Sequence, residues 1–120
     1  MPEAQDETQD KTGPIKGFHA HLYYDAVDVE TAKSFAEAAK ARFKLAIGRF
    51  HLEPIGPHPR GSCQLSMSAE TFKDFALWAM DARGDMTIFA HGLSGNDLDD
   101  HTRYVIWFGP SEPLDMTIFG

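Results

Sequence analysis

From residue 17 to residue 24 the side chains alternate so regularly that an extended strand with two different surroundings is the simplest reading. Phe18, Ala20 and Leu22 fall on one side, and His19, His21 and Tyr23 on the other. A helix would mix these two sets within a turn, whereas a strand separates them completely. Behind this strand, Val29, Ala32, Phe35, Ala36, Ala39 and Phe43 recur at helical spacing, with Asp28 placed to cap them. The spacing predicts an amphipathic helix over 29–45.

The same order then repeats. Residues 47–52 read as a second strand with Phe50 and Leu52 on one side and Arg49 and His51 on the other. Residues 54–61 (PIGPHPRG) carry three prolines and two glycines and read as a loop. Residues 63–67 alternate again, Cys63, Leu65 and Met67 against Gln64 and Ser66. Ser68 is placed to cap a second helix with Phe72, Phe75, Ala76 and Ala79 inward, and Gly84 to stop it. Strands are expected at 86–90 and 104–108, a loop at 92–100, and a short strand at 116–119. Strand–helix–strand twice over implies an α+β fold, a ferredoxin-like β-α-β-β-α-β sheet with both helices on one face and an extra C-terminal strand. Residues 1–14 are polar and acidic and read as a disordered tail, leaving 15–120 as a single domain.

Charge and cysteine content narrow the function. The net charge of −7 argues against a nucleic-acid groove or an anionic membrane surface, both of which favour a basic face. The single cysteine, Cys63, excludes an intramolecular disulfide and a cysteine-based zinc cluster. No apolar run approaches a membrane span and no signal pattern opens the chain, so a soluble cytoplasmic protein is the expectation.

The histidines carry the functional signal. Imidazole is the commonest protein ligand for transition metals and the usual acid or base near neutral pH. In the expected topology His19 and His21 lie early in the first strand, His51 ends the second, His58 precedes the third, His91 ends the fourth and His101 precedes the fifth. All six converge on one end of the sheet. A His-x-His pair on a strand places two rings on one face with Cα atoms about 6.5–7 Å apart, within reach of one ion. His58, between Pro57 and Pro59, has a restrained backbone, and His91 adds a ring from a neighbouring strand. The expected metal ligands are His19, His21, His58 and His91, suiting Fe(II), Zn or another divalent ion. Glu53 and Asp97 are the candidate carboxylates. Tyr23, Arg49 and Gln64 are candidate substrate contacts, with Arg49 able to hold an acidic substituent.

Taken in order, Phe18-His19-Ala20-His21-Leu22-Tyr23, Gly48-Arg49-Phe50-His51, Gly56-Pro57-His58-Pro59, and His91 followed by Ser94-Gly95-Asn96-Asp97 and Asp100-His101-Thr102 resemble the DOPA 4,5-dioxygenase family. The resemblance covers about residues 16–110. Gly92 stands where the family pattern leads one to expect proline, and Gln64 where an acidic residue is expected. The resemblance implies a ferredoxin-like or dimeric α+β-barrel fold, a histidine-rich metal site at His19, His21, His58, His91 and His101, and extradiol cleavage of a catechol. The expected activity is therefore a non-haem Fe(II) ring-opening dioxygenase acting on DOPA or a related dihydroxyphenyl compound with O₂. His101 or His51 would serve as its acid/base group. The rival readings are a metal- or small-ligand-binding protein without turnover, and a cofactor-free dimeric barrel whose histidines bind an organic substrate directly. Tyr23, Phe89 and Trp107 on the open sheet face lead one to expect a homodimer covering it.

Overall fold

The computed structural model describes residues 13–119. Most of the tail expected over 1–14 lies outside them. Five strands form one sheet: β1 (Gly17–Tyr23), β2 (Ala46–Ile47), β3 (Ser62–Ser68), β4 (Thr87–Gly92) and β5 (Val105–Phe108). Their spatial order is β2-β3-β1-β4-β5, and every neighbouring pair runs antiparallel. Two 14-residue helices, α1 (Val29–Arg42) and α2 (Ala69–Ala82), follow β1 and β3. A third, α3 (Asp97–Asp100), is a single turn.

Register explains why the two faces differ. Ala20 pairs with Leu65 and Ala90, and Leu22 with Cys63 and Ile88. These residues join Ala32, Phe35, Ala36 and Ala39 of α1 and Phe72, Phe75 and Ala79 of α2 in one buried apolar cluster. His19 pairs with Ser66 and His91, His21 with Gln64 and Phe89, and Tyr23 with Ser62 and Thr87. Period two thus sends every polar ring of β1 away from the helices.

The sheet is open. β2 and β5 are its two edges, and it does not close into a barrel. The α+β arrangement holds, but the dimeric α+β barrel expected from the sequence is corrected. The reason for expecting two sheets to face one another also falls away. Tyr23 and Phe89 are already buried within one chain, at 1% and 0% exposure. Segments of the same chain lie against this face. The loop holding His58 meets the Tyr23 ring, the Asp115 amide bonds the Pro57 carbonyl, and Phe119 lies against His101.

Several local expectations change. The second strand is two residues long rather than spanning 47–52; beyond it the Gly48 amide bonds the Gln64 carbonyl and an isolated bridge joins His51 to Ser62. Gly48 sits where an added Cβ would lie 3.0 Å from the Gln64 carbonyl oxygen, and Leu52 is exposed rather than buried. Asp28 makes no side-chain cap and belongs to a 3₁₀ turn, Ala26–Asp28, ahead of α1. Ser68 does cap α2, its hydroxyl accepting from the Thr71 amide, and Gly84 takes the left-handed conformation (φ 58°) after it. Within 92–100, read as loop, Asn96 caps α3 by accepting from the Asp99 amide. Residues Met116–Phe119 form a 3₁₀ turn, not a strand. No helix among the described residues is long and apolar enough to cross a membrane.

Candidate metal centre

Antiparallel pairing puts His19 directly across from His91, and the His-x-His spacing carries His21 onto the same face. One ring nitrogen from each of His19, His21 and His91 lies within 4.8 Å of the others. The Nε2 atoms of His21 and His91 are 3.1 Å apart. Two imidazole nitrogens bound to one ion at about 2.0–2.1 Å are separated by roughly 2.9–3.4 Å when the angle at the ion is between 90° and tetrahedral. The observed spacing is thus that of two ligands to a shared cation. It equally accommodates one hydrogen bond between the rings when no cation is bound.

Supporting contacts orient the rings. His91 Nδ1 lies 3.1 Å from the Gly92 carbonyl oxygen, which only accepts. The ring proton therefore sits on Nδ1, and Nε2 keeps its lone pair for the site. On the third ring, His19, the Gln64 amide donates to Nε2 at 3.4 Å and also to Ser66 Oγ at 3.1 Å. Burial keeps all three imidazoles neutral. It holds His21 well below the ordinary histidine range, helped by the neighbouring rings, and His91 at about 4. Burial and the His101 ring lower His19, with Asp100 opposing. Neutral imidazole is the form that ligates, so the donor set fits a first-row divalent ion.

His58 occupies a different place from the one expected. Its Nδ1 is 2.7 Å from the Tyr23 hydroxyl, and its ring packs 4.1 Å from that of His21. Burial pushes the Tyr23 phenol up and His58 down to about 4. The phenol stays protonated and the imidazole neutral, and one hydrogen bond joins them. His101 packs 4.2 Å from His91, and its Nδ1 bonds the Asp97 carbonyl at 2.8 Å, which leaves Nε2 as an acceptor. The structure thus joins His58 and His101 to the cluster as neighbouring rings, outside the three converging nitrogens.

A cleft of about 320 Å³ opens beside the cluster, lined by His21, Arg49, His51, Ile55, His58 and Gln64. Arg49 is exposed at it, whereas Arg60 is taken up by Glu112 and Asp25. His51 reaches the cleft, and its backbone carbonyl accepts from Tyr24. Glu53 and Asp97, the carboxylates singled out from the sequence, are both exposed, and neither joins the cluster.

Sequence reasoning missed two features. Asp100 is 3% exposed, and its carboxylate accepts from the Ser94 amide and hydroxyl, folding the 94–100 segment around His101. A turn with Ser94 six residues before Asp100 was the available signal. Phe119, 4.5 Å from His101, lies in the segment read as a short strand, a reading that says nothing of what its ring packs against.

Comparison with known proteins agrees with this geometry. The family model described as the Dopa 4,5-dioxygenase family matches residues 18–118. A DOPA 4,5-dioxygenase of Amanita muscaria is 30% identical over 111 residues, 85% of this chain and 49% of the relative. An uncharacterized 21.2 kDa protein of Botryotinia fuckeliana is 35% identical over 87% of this chain and 64% of its own length. The chain therefore spans about half to just under two thirds of these curated relatives. A crystal structure of a candidate dioxygenase from Nostoc punctiforme superposes with a TM-score of 0.84 at 36% identity, covering 88% of this chain and 91% of that one. With the match extending over nearly all described residues, the chain belongs to the DOPA 4,5-dioxygenase family.

Proposed function

We propose that this protein is a non-haem Fe(II) extradiol dioxygenase that opens a catechol ring, DOPA or a related dihydroxyphenyl compound. The observation that carries the reading is the convergence of His19, His21 and His91 nitrogens within 4.8 Å, on a buried face in a chain of this family. Iron bound there would bring catecholate and O₂ together and make electron transfer between them possible. Three neutral ligands would leave the ion's charge undiminished, which favours a deprotonated catechol. The reaction needs no external reductant: one ring C–C bond breaks, and both oxygen atoms of O₂ enter the muconic semialdehyde product.

The protein's own residues have distinct tasks in this reading. His91 is held by the Gly92 carbonyl, so its Nε2 is aimed before any ligand arrives, whereas the Gln64 amide, which donates to His19 Nε2, must turn away for that nitrogen to ligate. The catechol ring enters the cleft beside His21, where Ile55 offers an apolar wall and Arg49 a partner for a carboxylate substituent. His101, with Nδ1–H committed to Asp97, has a lone pair on Nε2 to receive a catechol proton. His51, lining the cleft, is the other candidate for that step. Tyr23 acts through His58, fixing its ring against His21. The net charge of −7 supports a small-molecule substrate over nucleic acid.

The test is anaerobic reconstitution with Fe(II), then mixing with a panel of catechols in oxygenated buffer while following O₂ uptake and a yellow product. One O₂ consumed per catechol opened is expected, with zinc-loaded protein inactive. Stoichiometric iron binding with no turnover on any catechol would instead favour a metal- or ligand-binding protein.

A further inference from the structure

The two long helices have the same length and opposite backs. The solvent side of α1 carries Glu30, Lys33, Glu37 and Lys40, all exposed and all charged. The corresponding side of α2 carries the charged Glu70, Lys73, Asp74 and Asp81 but also Leu77 at 70% exposure and Met80 at 66%. A surface helix is expected to be polar on its outer face, so α1 is finished and α2 is not. Beside α2 lies β5, an edge strand whose Ile106 is 43% exposed. Ala76, Leu77, Met80, Ile106 and Phe108 line a groove of about 450 Å³ between them. An edge strand next to exposed apolar side chains invites pairing unless something covers it.

We propose that this groove and the β5 edge form the contact between two copies of this chain. Both large faces of the sheet are already used, one by the helices and the other by the chain's own loop and C-terminal segment. A two-fold axis normal to the sheet at the β5 edge makes β5 pair antiparallel with its copy and sets α2 antiparallel to its copy. One operation satisfies both elements and keeps the interface isologous. The charges on α2 fit that symmetry. Lys73 and Asp81 lie four residues either side of Leu77, so a dyad near Leu77 brings each Lys73 level with the Asp81 of the other copy. Among the described residues neither side chain has an ion pair within its own chain. Such a pairing joins two five-stranded sheets edge to edge and leaves each histidine cluster intact. It differs from the face-to-face barrel that the fold rules out.

Sedimentation and light scattering test it. The full chain is expected at twice 13.4 kDa. Leu77→Glu should give the single-chain mass with an unchanged circular dichroism spectrum. Lys73→Glu should weaken association at least tenfold, and the double exchange Lys73→Glu/Asp81→Lys should restore it. A wild-type chain that stays at the single-chain mass at every concentration overturns the proposal. So does a dimer indifferent to Leu77→Glu, or a double exchange that fails to rescue.

Discussion

The two faces of one sheet, built from the same strands, have been given different work. On the helix side, Ala20, Leu22, Leu65, Ile88 and Ala90 are completely buried and pack in one hydrophobic cluster. On the other side, His21, His91, Tyr23 and Phe89 are nearly as buried, yet the polar atoms find partners in one another or in the backbone. Among the described residues no buried side-chain nitrogen or oxygen lacks a hydrogen bond. The first face supplies stability. The second spends some of it, because burying neutral imidazoles costs desolvation that only partners or a cation offset. Burial by itself therefore does not distinguish a core from a site. The chemistry of what is buried does.

The comparison breaks most sharply when one residue from each face is removed. Leu65→Ala should lower stability by about 2–5 kcal/mol, read by urea unfolding, and leave metal stoichiometry intact. His21→Ala should do the reverse, keeping a cooperative fold while losing more metal affinity than the roughly 10–100-fold that follows loss of a supporting partner. If both variants lost metal and stability equally, the two faces would not be separable.

Over a single pH unit, acid comes next in size. His58 and His91 titrate at about 4 in the folded chain and at the ordinary 6.5 once unfolded. Between these values the unfolded chain binds protons that the folded chain refuses. The stability of the metal-free protein is therefore complete above pH 6.5 and falls as the pH drops towards 4, by about 1.4 kcal/mol per pH unit for each histidine. Urea midpoints measured across that range check it, and a flat profile would contradict it. The smallest effect is expected from Tyr23→Phe, which leaves the buried His58 Nδ1 without its partner at a cost of about 1–3 kcal/mol and spares the metal ligands.

The alternation in β1 made both faces legible in the sequence because two environments demand two residue classes at period two. The pairing of His19 with His91 followed from strand order. Residues 49–52 also alternate, but beyond the Gly48 amide bond to Gln64 the chain rejoins the ladder only at His51, and pairing an edge segment depends on contacts that periodicity does not record. His58 was expected among the ligands because its loop lies at the right end of the sheet. Whether its ring meets a cation or the Tyr23 hydroxyl depends on side-chain placement within a few ångströms. The barrel was illegible for a related reason. Closing the polar face with another sheet or with the chain's own segments needs the same apolar rings, and the strand expected at 116–119 did not announce the path of that segment.

The central claim is that the buried polar face binds one cation through His19, His21 and His91. Its most direct test is a crystal of the Co(II)-loaded protein with anomalous data collected at the cobalt edge. The account predicts one strong peak per chain, in coordinating contact with one ring nitrogen from each of these three histidines. A peak held by other residues, or none at full loading, would contradict it.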